Sequence, residues 1–358
     1  MEQFINETPL QRLPEPLLLW YRKNARDLPW RHTQDPYRIW ISEIMLQQTR
    51  VAAVLGYYDR FLRTFPTVQD LAAAPEELLM KCWQGLGYYS RARNLQKAAI
   101  LITEQYNGKF PETYQELLTL PGIGEYTAGA IASAAFCQPV PAVDGNVLRS
   151  VARITDCHGD IMDIKVRKQF RTAVEGIMPR QPEEIRIFNQ AMMELGATVC
   201  VPNGPAKCDM CPAEAFCLAK QRGTVTELPV KTPKKDRRVE ERTVFILLQD
   251  GKVALRQRGG KGLLAGLWEF PNTEGRLEET AVYSFLEEQG LRITDWKKQV
   301  PAKHIFTHVE WHMTGYVLSV VGSGPEEFLW ADRERWENLA IPSAFARYRQ
   351  EAEEYFKR

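Results

Sequence analysis

The stretch 120–131, LPGIGEYTAGAI, decides how the first part of this chain folds. The apolar residues that lead into it, ELLTL, predict the end of one helix, and the small residues that follow predict a second helix. Gly122 and Gly124 allow a tight turn in which backbone N–H groups stay exposed. Such groups at a helix N-terminus favour an anion such as a phosphate. The stretch therefore predicts a helical hairpin that can hold a DNA backbone. The alternative is an ordinary turn between two helices.

Helical periodicity continues over the first 222 residues, where prolines separate short apolar-periodic segments. The stretch 223–241, GTVTELPVKTPKKDRRVEE, predicts a basic linker that either tethers only or also contacts DNA phosphates. From residue 242 the pattern changes to a hairpin that turns at Asp250-Gly251, the helix EETAVYSFLEEQG and the strand HVEWHMTGYVLSVV. We therefore predict an all-α domain at 1–222, a linker at 223–241 and an α+β domain at 242–358 with a helical tail.

Composition limits the class of protein. The 358 residues are 44% hydrophobic and 25% charged, with a net charge of +1, which is ordinary for a globular chain. No run reaches the ~20 apolar residues that a membrane span needs. The start, MEQFINETPLQRLPEP, has no basic region before an apolar one. We therefore expect a cytoplasmic protein with no membrane partner, and any contact with nucleic acid must come from basic groups focused on one face.

The cysteines form one tight cluster. Four of the seven follow the pattern Cys200-x7-Cys208-x2-Cys211-x5-Cys217. An odd number with one cluster does not fit a secreted disulfide framework. Four thiolates at this spacing can enclose a zinc ion or an iron–sulfur cluster, and the spacing alone leaves both open.

Two acids lie in unusual surroundings. Glu43 is inside the apolar run WISEIML, where desolvation would raise its pKa and suit a general acid. Asp144, in PAVDGNVL, either caps a helix or takes part in chemistry, and capping does not exclude catalysis. Two acids that flank a glycosidic bond are the usual means of cleaving it. The alternative for Glu43 is a solvated position on a helix surface.

Two polar or aromatic stretches, LQQTR at 46–50 and GLGYYSR at 85–91, suit insertion into a duplex, although Tyr88 and Tyr89 could equally be core aromatics. His304, His308 and His312 recur at four-residue intervals. Their β-branched and aromatic neighbours favour a strand or loop over a metal-binding helix face.

In this order, the motifs WISEIMLQQTRV, WQGLGYYSRARN, LPGIGEYTAGAI, PAVDGNVLR and FNQAMMELGATVC resemble the MutY-type adenine DNA glycosylases of the helix-hairpin-helix, iron–sulfur superfamily. The resemblance spans nearly the whole chain. It implies a multidomain fold: an all-α helix-hairpin-helix glycosylase domain with an iron–sulfur loop at 200–217, then a Nudix-like α+β domain. It also implies a bacterial-type monomer, associated with the nucleoid, whose partner is double-stranded DNA with 8-oxoguanine:adenine mispairs.

The resemblance further implies a role for each site residue. Glu43 would protonate the departing adenine and Asp144 would stabilise the sugar cation, with Tyr126 and Asn146 orienting these acids. The base must leave the duplex before chemistry. The other implied contacts are with adenine (Arg31, Gln190), with DNA (Gln48, Thr49, Tyr88, Gly122, Gly124) and with a [4Fe–4S] cluster (Cys200, Cys208, Cys211, Cys217).

One position separates this group from its lyase relatives. The endonuclease III branch, which acts on oxidised pyrimidines, carries a lysine in the hairpin helix that forms a Schiff base and nicks the strand. Here that position is Tyr126, and no lysine lies between Lys109 and Lys165. A tyrosine cannot form the imine, so we expect cleavage of the base and not of the backbone. The endonuclease III-like activity is the alternative function.

The second domain resembles a Nudix fold whose catalytic box is incomplete. Tyr283 and Ser284 occupy the Arg-Glu positions before Glu287-Glu288-Gln-Gly290. This counts against a nucleotide hydrolase and favours recognition of 8-oxoguanine, which in the family uses a Phe-Ser-His segment. Phe306, Thr307 and His308 match that segment, with threonine in place of serine. The first cysteine gap also departs from the family, with seven residues where six is commoner. A DNA-binding scaffold without catalysis is disfavoured because both acids are present.

Overall fold

The computed structural model describes residues 9–233 and 236–357. The chain divides into two compact units. The first contains the described residues up to Ala73 together with Asn94–Pro233, and the second contains Ala74–Arg93 and the described residues after Pro233. Among the described residues, no helix combines the length and the apolar character that crossing a bilayer requires.

The described part of the chain up to Arg222 contains helices and loops and no strand, as predicted. Proline occupies the first turn of several of these helices, where its missing N–H costs nothing. The α-helices are α1 (Pro14–Asn24), α2 (Pro36–Leu46), α3 (Val51–Thr64), α4 (Val68–Ala73), α5 (Glu76–Trp83), α6 (Ser90–Gln105), α7 (Tyr114–Leu117), α8 (Glu125–Phe136), α9 (Gly145–Ile154), α10 (Ile164–Glu175), α11 (Pro182–Thr198) and α12 (Leu218–Arg222).

Helices α9 and α11 pack at the centre of the first unit. Val147 and Val151 of α9 and Phe188 and Leu195 of α11 are fully buried in one cluster. Moving or removing such buried side chains would open cavities and cost stability. This packing therefore holds the two helices in a fixed arrangement. The core therefore fixes the N-terminus of α9, which begins directly after Asp144.

The predicted linker at 223–241 is structured at both ends. Leu228 is buried in the core of the first unit. Its carbonyl accepts a hydrogen bond from Arg153 at 2.9 Å. At the other end, strand β1 already begins at Arg238. The boundary between the two units falls after Pro233, inside the predicted linker, and both ends of the stretch join structured parts of the chain, while Lys234 and Lys235 lie outside the described residues.

The second unit is built on a mixed sheet with the order β3-β2-β1-β6-β5, to which β4 and β7 add at β1 and β2. Strands β1 and β6 pair in parallel, and the other pairs are antiparallel. The predicted hairpin is confirmed, since Gln249 pairs with Lys252 and both Asp250 and Gly251 have positive φ. The strands are β1 (Arg238–Gln249), β2 (Lys252–Gln257), β3 (Trp268–Glu269), β4 (Asn272–Glu274), β5 (Arg292–Ile305), β6 (Val309–Val321) and β7 (Phe328–Ala331).

Alternate residues of β1 face two separate cores. Val244 and Ile246 join one cluster with Tyr348 of the terminal helix, whereas Phe245 and Leu247 join another with Leu286. Gly315 of β6 lies under Tyr348, whose ring leaves no room for a Cβ at this position. The helices that cover the sheet are α13 (Glu279–Glu288), α14 (Arg333–Asn338) and α15 (Ala346–Tyr355).

The segment Ala74–Arg93 groups with the sheet, although it lies within the helical part of the sequence. Lys81 of α5 donates to the carbonyl of Leu339 at 3.2 Å. Arg93 donates to the carbonyl of Ala265 at 2.6 Å. Helix α5 and the first turn of α6 are therefore held by carbonyl groups far along the chain, those of Leu339 and Ala265.

Candidate active site

A cavity of about 660 Å³ in the first unit contains both predicted acids. Its volume falls within the usual range for small-molecule sites, ≈ 300–1,000 Å³. Helix α2 contributes Glu43, and Asp144 precedes α9. The structure therefore brings together the catalytic and adenine-binding residues predicted for this unit, which are Arg31, Glu43, Tyr126, Asp144, Asn146 and Gln190.

Glu43 is buried, so the alternative of a solvated helix position is excluded. The hydroxyl of Tyr126 donates to Glu43 Oε2 at 2.5 Å and also contacts Met193 Sδ at 3.1 Å. Burial raises the pKa of Glu43 to about 7, with the charge of Asp144 acting in the same direction and the hydrogen bond from Tyr126 opposing it. A carboxyl with this pKa can hold a proton at neutral pH and release it during a reaction.

Asp144 caps helix α9, which was one of the two roles predicted for it. Its Oδ1 accepts from the backbone N–H groups of Asn146 and Val147, each at 2.9 Å. Its Oδ2 accepts from the side-chain amide of Asn146 at 2.7 Å. Burial raises the pKa of Asp144, whereas these hydrogen bonds and the nearby charge of Arg149 act to lower it. Three N–H donors thus favour the ionised form of a carboxylate that faces the cavity.

The sequence reasoning missed Glu194, which organises the predicted adenine-binding side. This buried carboxylate accepts from Arg26 through Nε at 2.8 Å and through Nη2 at 2.7 Å, and from Arg31 Nη2 at 2.6 Å. Burial acts to raise the pKa of Glu194, but the hydrogen bonds from the two arginines prevail and lower it to about 2. The arginines therefore stay in place around a permanently charged centre. The only signal in the sequence was an acid inside the apolar helix FNQAMMELGA.

Gln190 is held by a hydrogen bond from Tyr21. Its Oε1 accepts from the hydroxyl of Tyr21 at 2.7 Å. The guanidinium of Arg31 lies over the ring of the same tyrosine, 5.5 Å from its centroid. Tyr21 therefore orients both residues that were predicted to hold adenine, and it was not singled out from the sequence.

The predicted helical hairpin is present. Helix α7 ends at Leu117 and α8 begins at Glu125, with Gly124 as its N-cap. Gly122 adopts a φ of +77°, which favours glycine, and a Cβ there would approach Asn94 Cβ to 2.7 Å. The turn thus requires Gly122 on two independent grounds, whereas Gly124 is in extended backbone.

Gln48 and Thr49 lie in the turn between α2 and α3, as predicted. Gln48 is exposed and has a φ of 57°. A side chain other than glycine in this region is strained, and such strain occurs often at functional sites. Thr49 is half-buried, and its backbone N–H donates to the carbonyl of Leu46 at 3.2 Å. This turn therefore presents Gln48 to solvent in a fixed conformation.

In the second unit, Tyr88 meets the segment predicted to read the lesion. Its hydroxyl lies 2.8 Å from Thr307 Oγ1. Tyr88 is 46% exposed and has a φ of 47°, so the alternative of a core aromatic is excluded. Phe306 and Thr307 are half-buried and His308 is exposed in the turn between β5 and β6. The histidines at 304, 308 and 312 therefore lie on strand and loop, as expected.

The four clustered cysteines surround one cavity in the first unit, which is also lined by Ser150 and Arg153 of α9. Burial raises the pKa of Cys211 to about 12 and also raises the pKa of Cys208 and Cys217. Arg153 Nη1 donates to Cys200 Sγ at 3.3 Å. Within residues 9–233 and 236–357, no three His, Cys, Asp or Glu side chains converge so that they could hold a single metal ion.

Arg149 connects the cysteine loop with the capped aspartate. It donates to the carbonyl of Cys200 at 2.7 Å and to Asn146 Oδ1 at 2.9 Å. Because Asn146 in turn donates to Asp144, one buried guanidinium joins the start of the cysteine loop to the carboxylate in the cavity. The order of the loop and the orientation of Asp144 are thus linked through direct hydrogen bonds.

Two sequence families match the chain. Residues 41–175 match the HhH-GPD superfamily base excision DNA repair protein family, and residues 243–351 match the NUDIX domain. Two solved structures resemble the helical part. A thermostable thymine-DNA glycosylase is 28% identical with a TM-score of 0.53 and covers 60% of this chain and 97% of its own. Endonuclease III in a non-covalent DNA complex is 27% identical with a TM-score of 0.50 and the same coverage.

Curated relatives extend the match to most of the chain. The adenine DNA glycosylase of Homo sapiens is 35% identical and covers 92% of this chain and 71% of its own length. That of Buchnera aphidicola subsp. Acyrthosiphon pisum (strain APS) is 33% identical and covers 91% of both. By the identity and coverage of these matches, the chain belongs to the adenine DNA glycosylases, DNA N-glycosylases of base excision repair that combine an HhH-GPD domain with a Nudix domain.

Proposed function

We propose that this adenine DNA glycosylase hydrolyses the N-glycosidic bond of adenine paired with 8-oxoguanine, acts more weakly on adenine paired with guanine, and leaves the strand intact. The observation that carries the proposal is the pair of acids in one cavity, each in a different environment. Glu43 has a pKa raised to about 7 by burial, and Asp144 accepts three N–H hydrogen bonds. Environments that differ in this way separate the roles of acid and charge stabiliser.

Glu43 is the general acid. It gives its proton to a ring nitrogen of adenine as the glycosidic bond breaks, so that the base leaves neutral. Tyr126 holds the carboxyl in place and stays protonated itself, because burial and the charge of Glu43 raise the pKa of Tyr126 well above its usual value. Tyr126 is therefore a positioning residue at neutral pH.

Asp144 faces the positive charge that develops on the sugar. A fixed carboxylate aimed at developing charge stabilises the transition state without having to reorganise. Asn146 holds Asp144 by two hydrogen bonds, one from its backbone and one from its side chain. The carboxylate thus stabilises the sugar cation or bonds to it transiently until water adds.

The remaining residues bind the substrate. Arg31 and Gln190 hold the flipped adenine, and the turn of Gly122 and Gly124 binds the DNA backbone through the N-terminus of α8. Gln48 and Tyr88 each wedge into the base stack, and Thr49 contacts DNA from the same turn as Gln48, which favours base flipping. The strained φ angles of Gln48 and Tyr88 support this role because both side chains are held outward.

Tyr126 also supports a reaction without strand cleavage. The endonuclease III-like alternative needs an amine near the sugar, and residues 110–164 contain no lysine. Without an amine, no imine forms between enzyme and sugar, and water completes the reaction. The enzyme works as a monomer, since both proposed sites come from a single chain.

Lesion recognition belongs to Phe306, Thr307 and His308. 8-Oxoguanine differs from guanine by an oxygen at C8 and a proton on N7. A hydroxyl such as that of Thr307 can accept from N7–H and also donate to the oxygen at C8. The contact between Thr307 and Tyr88 supports this assignment, because it places a proposed stack-inserting residue next to the proposed lesion-reading residue.

The cysteine cavity suits a [4Fe–4S] cluster on Cys200, Cys208, Cys211 and Cys217. In such a cluster each thiolate binds a different iron, so the sulfurs surround a cavity and do not converge on one point. The four thiols line a single cavity without forming a single-ion group among the described residues. Bound iron would also supply the positive charge that buried thiolates with raised pKa need. The cluster's contribution is to order the loop.

One assay tests the proposed reaction. Labelled duplexes with 8-oxoguanine:adenine, guanine:adenine or an oxidised pyrimidine are incubated with the enzyme, with and without hot alkali. We expect strand breaks only after alkali, fastest for 8-oxoguanine:adenine. Nicking without alkali, together with an adduct trapped by borohydride, would favour the lyase. Iron and sulfide analysis tests the cluster, and a colourless protein with one zinc would contradict it.

A further inference from the structure

Ser150 is a buried hydroxyl that faces the cysteine cavity. It lies in the middle of α9, is 0% exposed and lines the same cavity as the four thiols. Its Oγ has no hydrogen-bond partner within the described residues. A serine inside a helix commonly donates to the carbonyl four residues earlier. Thr155, at the end of the same helix, does so with the carbonyl of Val151 at 2.8 Å, but Ser150 does not.

An unpaired buried hydroxyl is unfavourable, so something in the cavity is expected to accept its proton. Apart from Ser150 itself, the lining consists of apolar side chains, the cysteine sulfurs and three charged residues, Arg153, Glu214 and Lys220. The carboxylate of Glu214 is paired with Lys220 and does not accept from Ser150. A guanidinium has no acceptor, and apolar groups offer none. With Glu214 engaged by Lys220, the side-chain acceptors that remain in the lining are sulfur atoms, which accept well only when they carry negative charge.

Arg153 shows that this face of α9 already donates to sulfur. It lies three residues after Ser150, on the same side of the helix, and donates to Cys200 Sγ at 3.3 Å. Hydrogen bonds to the carbonyls of Leu228 and Val201 fix the guanidinium in that position. Ser150 and Arg153 thus form a pair of donors on one helix face, and among the described residues Arg153 has an acceptor whereas Ser150 has none.

We propose that Ser150 donates its hydroxyl hydrogen bond to a sulfur of the iron–sulfur cluster and thereby raises the cluster's reduction potential. The proposal rests on the [4Fe–4S] cluster proposed above. A donor to a cluster sulfur stabilises the more negative, reduced state in preference to the oxidised state, and such hydrogen bonds are among the factors that set the potential. Ser150 is therefore a positioning and tuning residue for the cofactor.

The test compares Ser150→Ala with the purified full-length enzyme by voltammetry. Alanine keeps the helix and removes only the hydroxyl, so we expect the variant to fold and its potential to shift to lower values. Ser150→Thr retains a hydroxyl at the same position and should return the potential towards that of the parent enzyme. The matched control is Thr155→Val, which removes a hydroxyl of α9 that already has a backbone partner and should leave the potential unchanged.

A second measurement observes the proton itself. Pulsed EPR of the oxidised, paramagnetic cluster in H2O and D2O should show one exchangeable proton coupling that is absent in Ser150→Ala and present in Thr155→Val. An intact cluster with the same potential and couplings in parent and Ser150→Ala would overturn the proposal while leaving the cluster assignment standing. A parent protein with no iron and sulfide would overturn both, so the two failures are distinguishable.

Discussion

The acid pair in the first unit and the turn at Thr307 in the second unit are held in different ways. Glu43 and Asp144 lie in a cavity, and the carboxylate of Asp144 accepts three hydrogen bonds from Asn146 and Val147 at the start of the helix that it caps. Thr307 lies on a turn between two strands, and its hydroxyl contacts Tyr88, which is 46% exposed. Groups that act on a transition state need a fixed, dry environment, whereas groups that test a partner base must stay reachable.

The largest effect is expected from the acids. Glu43→Gln and Asp144→Asn keep the side-chain shape but remove the proton donor or the negative charge, so single-turnover excision of adenine should fall by ~100-fold or more. Asparagine caps a helix as well as aspartate does, so Asp144→Asn should fold normally. The matched control is Asp163→Asn, which changes the cap of α10 and should retain the parent rate. Parent-like rates in either acid variant would refute its assignment.

Glu194→Gln tests how strongly the cavity depends on a buried charge. Removing one partner of a buried ion pair commonly costs ~3–5 kcal/mol, because the other charges remain uncompensated. We expect a loss of this size in denaturant unfolding above pH 5. The pKa of Glu194 is lowered to about 2 in the folded protein, from ~4.5 in the unfolded chain. The stability that ionised Glu194 contributes is therefore fully present above pH ~4.5 and is lost as the pH falls through about 2. The stability of parent and variant should therefore converge in acid.

Glu184→Gln is the matched control for that experiment. It lies on the same helix and pairs with Arg22 at 3.9 Å on the surface. Exposed pairs contribute ~0–1 kcal/mol, so this variant should lose little. Equal losses at both positions would mean that burial does not set the strength of the Glu194 pairs.

Tyr126→Phe should shift the pH dependence of excision and have less effect on the maximum rate. The protonated form of Glu43 is the active acid, so the rate should fall as the pH rises through about 7. Tyr126 donates to the carboxylate and holds the pKa of Glu43 down, so removing its hydroxyl should shift that fall to higher pH. Tyr114→Phe, which removes a hydroxyl bonded to Arg171, is the control. An unchanged midpoint in Tyr126→Phe would contradict the proposed role.

Thr307→Val is expected to have the smallest effect, which should be limited to the discrimination between 8-oxoguanine and guanine opposite adenine. Valine has the size of threonine but cannot hydrogen-bond, so the preference for 8-oxoguanine:adenine over guanine:adenine should fall by ~1–3 kcal/mol in the ratio of single-turnover rates. The excision of adenine opposite guanine should change little. Thr314→Val, in the neighbouring strand β6, should preserve the preference. A preference that survives Thr307→Val would place lesion reading elsewhere.

Local patterns in the sequence predicted the fold well. The turn at Gly122, the cap at Asp144 and the hairpin at Asp250 depend on residues within a few positions of one another, and the structure confirms all three. The buried environment of Glu43 was also foreseen from its apolar neighbours. Short-range chemistry therefore identified the two acids, whereas Arg31, Tyr126, Asn146 and Gln190 were predicted from the family resemblance.

The missed features depend on distant partners. Glu194 bonds to Arg26 across 168 residues, and nothing near either residue signals that pairing. The Oγ of Ser150 has no partner on its own helix, and its place in the cysteine cavity is visible only once α9 and the loop are folded. The burial of Leu228 was missed for the same reason, because this side chain packs against helices that precede it by many residues.

The grouping of Ala74–Arg93 with the sheet has a consequence for synthesis. Lys81 bonds to a carbonyl 258 residues later, and Tyr88 contacts a hydroxyl 219 residues later. On the ribosome, helix α5 emerges long before either partner exists, so this part of the chain has to wait for residues of the second domain. Contacts of such sequence separation slow folding and prolong the exposure of intermediates. A premature stop in the Nudix domain would therefore also leave an early segment of the chain without its final contacts.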